Sequence, residues 1–554
     1  MEASAPEPRY PETELLASAT CVEPLLAVLS PVAKPYVPSV LQFRRIVAVA
    51  LTALFSACAT LPERPPVGPA GAALPPRAGG VLAATESALV DRVGTHASGF
   101  RLLDTNEDGL RWRLALIDSA HHSLDLQYYV WWGDDSGDLL IKRVIAAAER
   151  GVRVRIVLDD LSTILEDESH PKLRDAAVAL IDAHPNIEIR LFNAWRTRPL
   201  GGRAVETLSR MERINHRMHN KLLVADNRAT IIGGRNVGNE YFGMSSEFNF
   251  RDLDVLGVGP VARQASDVFD RFWNSEWVVP VKALGATTGA DSVTPTLARL
   301  QQKLAASDAL ARFPIDPQDW QAALAAVVGE LHPGTSRVHT DSPDPGVLKH
   351  HMPDAFRALI GSARREVLIT NAYIIPGEHA VERMRQQTER GIRIRILTNS
   401  LASHDVPAVN SHYKQWRRPL LEAGIDLYEM RSDAAVQALL ADTAPTRAEF
   451  VGLHVKAMVI DRERVFIGSM NLDPRSWDIN SEMGVIVDSP DLAEALARAM
   501  ERDMEPENAW RVTLDAGGQV QWAAGEKVLT SQPARTFWQR VQDVIFMAFP
   551  RDLY

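Results

Sequence analysis

Two copies of one short pattern, 235 residues apart, constrain this chain more than anything else in it. The first runs His219-Asn220-Lys221, then Asp226, then Gly233-Gly234-Arg235-Asn236; the second runs His454-Val455-Lys456, then Asp461, then Gly468-Ser469-Met470-Asn471. In both, His to Lys is two positions, Lys to Asp five and His to Asn seventeen. With 15 histidines in 554 residues, chance does not readily repeat that spacing. The chain has to fold so that both copies are used.

Elementary strand geometry says what one copy presents. Leu453 to Ile460 is apolar and β-branched enough for a buried strand, and residues two apart on a strand point the same way, so His454 and Lys456 share a face. Asp226-Asn227-Arg228 and Asp461-Arg462-Glu463 read as hairpin turns, each followed by a strand that ends in two small residues and, one position on, Asn. An imidazole, an ammonium and a carboxamide thus converge. That set suits a phosphate: a cation and amide donors for the non-bridging oxygens, and an imidazole to attack phosphorus or protonate a leaving group. One copy supplies half a mechanism, and two histidines in opposite protonation states supply the whole. Aligning Pro260 with Pro490 sets Asp252 opposite Glu482, and each acid is expected to hold the far ring nitrogen of the His in its own copy. Asp226 and Asp461 complete the two catalytic patterns but lie at strand ends, which gives them an orienting or structural role. A lone His-x-Lys carries little weight, and His216, His350, His351 and His412 read as ordinary surface or core histidines; His404, beside Asp405 after a strand, is kept as a binding candidate.

The duplication extends beyond the two patterns. Leu124 to Val130 reads as a strand, Asp138 to Arg150 as a helix closed by Gly151, and Val152 to Leu158 as a second strand; Glu366 to Tyr373, His379 to Arg390, Gly391 and Ile392 to Leu397 repeat the series. The expectation is an α/β chain of two similar lobes, each a mixed sheet flanked by helices, paired about a pseudo-twofold axis with the active site between them. Residues 85–285 form the first lobe, 286–345 a connector, 346–530 the second lobe, and 531–554 an amphipathic C-terminal helix with Phe537, Val541, Val544, Ile545 and Ala548 on one face and Trp538 beside it. That helix either lies on a membrane or docks on the second lobe.

The first eighty residues are of another kind. Arg44-Arg45, an apolar run from Ile46 to Ala57 and then Cys58 make residues 44–58 a leader with a lipobox-like end, too short to span a bilayer. Cys58 is the expected lipidation site, with the Pro- and Gly-rich residues 59–84 as a tether; Phe55 in place of the usual Leu leaves an uncleaved signal anchor or ordinary secretion as alternatives. Residues 1–43 fit no leader and read as an over-extended or disordered N-terminus.

A net charge of −10 argues against a partner as anionic as nucleic acid, whose binding needs clustered cations. Arg196, Arg198, Arg203, Arg210, Arg213 and Arg217 precede the first pattern and either meet lipid phosphates or form a solvated face.

The paired patterns resemble the phospholipase D superfamily. Residues 217–221, 233–242, 398–402 with Asp405-Val406-Pro407, and 471–476 are similar to bacterial cardiolipin synthases of the C type. The resemblance covers roughly residues 85–554. It implies a metal-independent, cofactor-free phosphatidyltransferase working through a phosphohistidine. His219, Lys221, Asp226, His454, Lys456 and Asp461 would be the catalytic set, Asn236, Ser469 and Asn471 would bind the substrate phosphate, and Asp252 and Glu482 would be the orienting acids. Phosphatidylglycerol would accept and phosphatidylethanolamine or phosphatidylglycerol donate, giving cardiolipin. Hydrolysis to phosphatidic acid is the alternative; a nuclease and a non-catalytic envelope protein are disfavoured. The implied partners are phospholipids and a membrane surface, and the implied location is the bacterial envelope, lipid-anchored and facing the periplasm.

Overall fold

The computed structural model describes residues 65–161, 178, 181–198, 200–285, 293–344 and 351–548. Residues 1–43, the leader with Cys58, and the start of the tether lie outside them.

The first lobe is a mixed sheet of β1 (Ser98–Leu103), β2 (Ser123–Tyr128), β3 (Arg153–Asp159), β4 (Ile187–Phe192), β5 (Leu222–Ala225), β6 (Ala229–Gly233), β8 (Asp254–Val258) and β9 (Val278–Pro280), with the short β7 (Phe248–Arg251) standing apart. Its strand order is β1-β8-β6-β5-β2-β3-β4-β9, parallel only through β2-β3-β4. The second lobe repeats the order with β10 (His332–Thr340), β11 (Glu366–Asn371), β12 (Arg393–Asn399), β13 (Asp426–Met430), β15 (Lys456–Ile460), β16 (Arg464–Gly468), β17 (Met483–Asp488) and β18 (Ala509–Leu514). It reads β10-β17-β16-β15-β11-β12-β13-β18, extended by a β-meander through β19 (Val520–Ala524) and β20 (Lys527–Leu529). β1 and β10 pair antiparallel, Ser98 opposite Gly334, and join the two sheets edge to edge.

Local chemistry fixes the crossovers. Asp134 caps the helix Asp135–Glu149 by accepting from Gly137 N, and Gly151 at φ 91° lets the chain turn into β3. The helix Gly377–Glu389 is followed in the same way by Gly391 at φ 86°. Pro260–Trp273 and Pro490–Asp503 both begin on Pro, whose missing N–H costs nothing in a first helical turn. Their apolar faces meet between the lobes: Phe269, Phe272 and Trp273 share one core with Leu492, Leu496 and Met500. Two further cores lie on the outer faces of the two sheets.

Two expectations about chain organisation change. β10 falls within the stretch read as a connector, yet it is the pseudo-twofold mate of β1. Within the described part of that stretch, Leu304, Leu310, Phe313 and Leu324 join the outer core of the first lobe. The single strand expected from Leu453 to Ile460 is broken at His454-Val455 into β14 (Phe450–Leu453) and β15. β14 leaves its own lobe and pairs in parallel with β7 of the other.

Candidate active site

The break at His454 builds the site. β14 and β7 run side by side until His454 N donates to Arg251 O at 2.9 Å. The mirror arrangement holds at the first copy, where Met218 bridges Ser481 and His219 N donates to Ser481 O at 2.8 Å. Each His is therefore stitched, by backbone, to the residue before the acid of the opposite lobe.

The side chains follow. His454 Nδ1 lies 2.6 Å from Asp252 Oδ2, and His219 Nδ1 lies 2.9 Å and 3.0 Å from the two oxygens of Glu482. This corrects the expected pairing: each carboxylate serves the other lobe's imidazole. The reason is tertiary, because the strand leading into each His pairs across the lobe boundary. With Nδ1 engaged, each ring leaves Nε2 for chemistry. Lys221 Nζ donates to His219 O at 2.7 Å and Lys456 Nζ to His454 O at 2.5 Å, so each ammonium is pinned beside its imidazole.

The two acids are held differently. Gly234 leaves room for Asp252, since a Cβ there would lie 2.3 Å from Asp252 Oδ1. The equivalent Ser469 instead donates its hydroxyl to Glu482 Oε2 and accepts from Met483 N. Ser469 was assigned to substrate phosphate; in the structure it holds the acid. Asn471 keeps a buried Oδ1 without a hydrogen-bond partner, whereas Asn236 accepts from Val130 N and donates to Tyr241 Oη.

Asp226 and Asp461 do not join this cluster. Each sits at φ 52° in its hairpin, at the far end of β5 or β15, roughly 15 Å along the strand from its Lys. Asp226 accepts from the amides of His121, His122 and Ser123, and Asp461 from those of Arg364, Arg365 and Glu366. They fasten the starts of β2 and β11, which fits an orienting or structural part and not a direct one.

The electrostatics of the cluster suit an anion. Burial, then Lys221, Lys456 and His454, push His219 well below the usual imidazole range. His454 is lowered too, by burial and Lys456 against the pull of Asp252. Burial drives Lys456 down to about 8 and Lys221 well below its ordinary value. Burial lifts Glu482 to about 7, while Asp252, despite its burial, is held low by the charge and hydrogen bond of His454. The charges of Lys221 and Lys456 disfavour a proton on either imidazole, and a bound phosphate diester would offset them.

Aromatic rings wall the cleft. Tyr129 meets His219 edge-on at 5.0 Å and lies under Lys221; Tyr241 and Phe250 flank His454 at 5.3 Å and 4.8 Å; Tyr373 lies 5.7 Å from Lys456. His404 stacks on Tyr373 at 5.2 Å, and Tyr373 Oη donates to Asp405 at 2.6 Å, so His404 supports the wall. Sequence reasoning did not single out Phe250; Tyr241 and Ser476, whose hydroxyl accepts from Asn471 N at 3.3 Å and hydrogen-bonds Glu482, stood only inside the stretches 233–242 and 471–476 that carry the resemblance, with no role assigned. Of the arginines before the first pattern, Arg203 and Arg217 are buried and Arg210 is exposed. Arg217 pairs with buried Asp159 and stacks on Trp195, Arg198 pairs with Asp160 and Arg213 with Glu206. Among the described residues no cluster of His, Cys, Asp and Glu could hold a metal ion, and no helix is long and apolar enough to cross a membrane.

Residues 114–273 and 356–504 match the family described as "Cardiolipin synthase, PLD-like domain". Over 456 residues, 79% of this chain and 92% of the relative, the sequence is 36% identical to cardiolipin synthase C of Escherichia coli (strain K12). It is 26% identical over 418 residues to a cardiolipin synthase of Geobacillus kaustophilus (strain HTA426), covering 74% of this chain and 68% of that one. Among solved structures, phosphatidylserine synthase of Haemophilus influenzae Rd KW20 superposes with a TM-score of 0.51 at 12% identity, covering 76% of this chain and 90% of that one, which speaks for the fold alone.

Proposed function

The chain belongs to the cardiolipin synthase family with two PLD-like domains, and on that premise we propose that it transfers a phosphatidyl group to phosphatidylglycerol, making cardiolipin through a phosphohistidine on His219. The observation that carries the reading is the pair of crossed carboxylate–imidazole contacts facing two buried lysines.

The asymmetry of the two acids supports the division of labour. Asp252 stays ionised beside His454, which makes His454 the imidazole able to carry a proton. Glu482, lifted to about 7, gives less support to charge on His219, which keeps a free Nε2 lone pair for attack. In the first half-reaction His219 Nε2 bonds to phosphorus, the bond from phosphorus to the headgroup oxygen breaks, and His454 delivers its proton to the departing alcohol. In the second, His454 takes the proton of the acceptor's glycerol hydroxyl, the resulting oxygen attacks phosphorus, and the P–N bond breaks. Lys221 and Lys456 would neutralise the equatorial oxygens in both steps, and the Asn471 amide nitrogen would donate to one of them. The ring walls of Tyr129, Tyr241, Phe250 and Tyr373 favour a lipid alcohol over water by keeping the cleft dry.

Bilayers of phosphatidylethanolamine and phosphatidylglycerol, incubated with the protein and resolved by mass spectrometry, should yield cardiolipin in excess of phosphatidic acid. Phosphatidic acid as the main product, whatever alcohol is supplied, would make the enzyme a hydrolase. We further propose a site of action at the bacterial envelope with Cys58 lipidated, which the intact mass of the mature protein tests.

A further inference from the structure

The last helix, Phe537–Ile545, docks the wrong way round for a helix held by hydrophobic burial. Thr536 caps it by accepting from Gln539 N, and its polar side faces the protein. Gln539 Nε2 donates to Leu401 O at 2.8 Å. Buried Asp543 accepts from Asn410 at 2.6 Å, Lys414 at 2.7 Å and Gln532 at 2.9 Å. The apolar side faces out, with Phe537, Trp538, Val544, Ile545 and the following Met547 all between 51 and 80% exposed. A buried carboxylate with three donors is a specific anchor, so the outward face is built into the fold.

The position of this face gives it a use. Gln539 and Arg535 take the carbonyls of Leu401 and Ala402, in the loop that runs on to His404 and Asp405. That loop braces Tyr373, and Tyr373 faces Lys456. Val406, the next residue of the loop, is exposed as well. The helix that carries the apolar face is therefore tied to the loop that braces Tyr373 beside Lys456, and the face carries no acidic side chain that anionic headgroups would repel.

We propose that this face is a bilayer-docking surface that seats in the boundary between headgroups and acyl chains and brings the mouth of the cleft to the lipid; the need for such docking rests on the phosphatidyltransferase reading above.

The test uses the full chain with Cys21 and Cys58 replaced by Ser and a polarity-sensitive nitrobenzoxadiazole label on Phe537→Cys, with Leu208→Cys, another exposed apolar position, as reference. On adding phosphatidylethanolamine–phosphatidylglycerol vesicles, the label at 537 should brighten, shift to the blue and be quenched by lipids brominated on their acyl chains, while the label at 208 stays as it was. A label at 537 that remains in water while the protein floats with the vesicles overturns the proposal. So does one that responds to protein concentration without vesicles, which would place a second copy there. In a second arm, Phe537→Ser, Trp538→Ser and Ile545→Ser, all exposed and so compatible with folding, should lower kcat/KM on vesicle lipid by about tenfold per side chain. Turnover of a short-chain lipid dissolved as monomers should be unchanged. An unaltered ratio between the two substrates counts against docking. Absence of turnover on both, with the fluorescence response intact, counts against the phosphatidyltransferase reading and leaves the docking surface standing.

Discussion

Asp252→Asn tests the crossed geometry directly. The amide is isosteric and the surrounding strands need not move, but the negative charge 2.6 Å from His454 Nδ1 is gone. At an effective dielectric of about 20, unit charges at that separation interact by roughly 6 kcal/mol, while a lost charge-assisted hydrogen bond typically measures about 1.5–3 kcal/mol. The imidazolium of His454 should lose an amount between these limits, about 3–6 kcal/mol, or roughly a hundredfold to ten-thousandfold in each step that needs the proton. Because Asp252 serves the opposite lobe, the variant should resemble His454→Ala and differ from His219→Ala. The assay is acid-sensitive labelling with a phospholipid radiolabelled at phosphorus: Asp252→Asn should hold label on His219 longer than the wild type does, and Glu482→Gln should hold little. A variant that takes up no label and behaves as His219→Ala does would mean that Asp252 supports the His of its own lobe and that the crossed contact has no part in the chemistry.

Three further outcomes follow from the same geometry. Because Lys456 sits at about 8 in the free enzyme, kcat/KM should fall as pH rises through that value and the ammonium is lost, and Lys456→Arg, which stays charged, should move that alkaline limb upward in a pH–rate profile even if its peak is lower. Asp226→Ala and Asp461→Ala each strip the acceptor from three backbone amides, so each should lose about 2–4 kcal/mol in urea unfolding while the folded fraction keeps measurable turnover; an inactive variant of unchanged stability would return the residue to the reacting centre. Activity should be the same in the presence of a chelator, and inhibition reversed by a divalent ion would sink the histidine mechanism.

What could be read along the chain was local. The two patterns, the repeated strand–helix–strand series and the acids eight residues before Pro260 and Pro490 all stand in the sequence, because they depend on spacing and periodicity. The crossing does not, since strand partners are chosen between distant segments and nothing in Phe450 to Leu453 says that it will pair with Phe248 to Arg251. For the same reason the break at His454 was hidden inside an apolar run. Arg198, Arg213 and Arg217 looked like part of a solvated or lipid-facing group because their partners, Asp160, Glu206 and Asp159, lie beyond the reach of local pattern. The C-terminal helix showed its apolar face in the sequence, but only tertiary contacts through Gln539 and Asp543 decide which face turns inward.

The exchange of β14 and β7 across the lobe boundary also sets what can vary independently. A substitution at Asp252 is felt at His454, 202 positions later, before it is felt at His219, and one at Glu482 is felt 263 positions earlier. The unit that must stay matched is thus a half-site drawn from both lobes. A first lobe emerging from the ribosome carries an imidazole without its acid and an acid without its imidazole, and on the proposed mechanism it should stay chemically silent until the second lobe has been made.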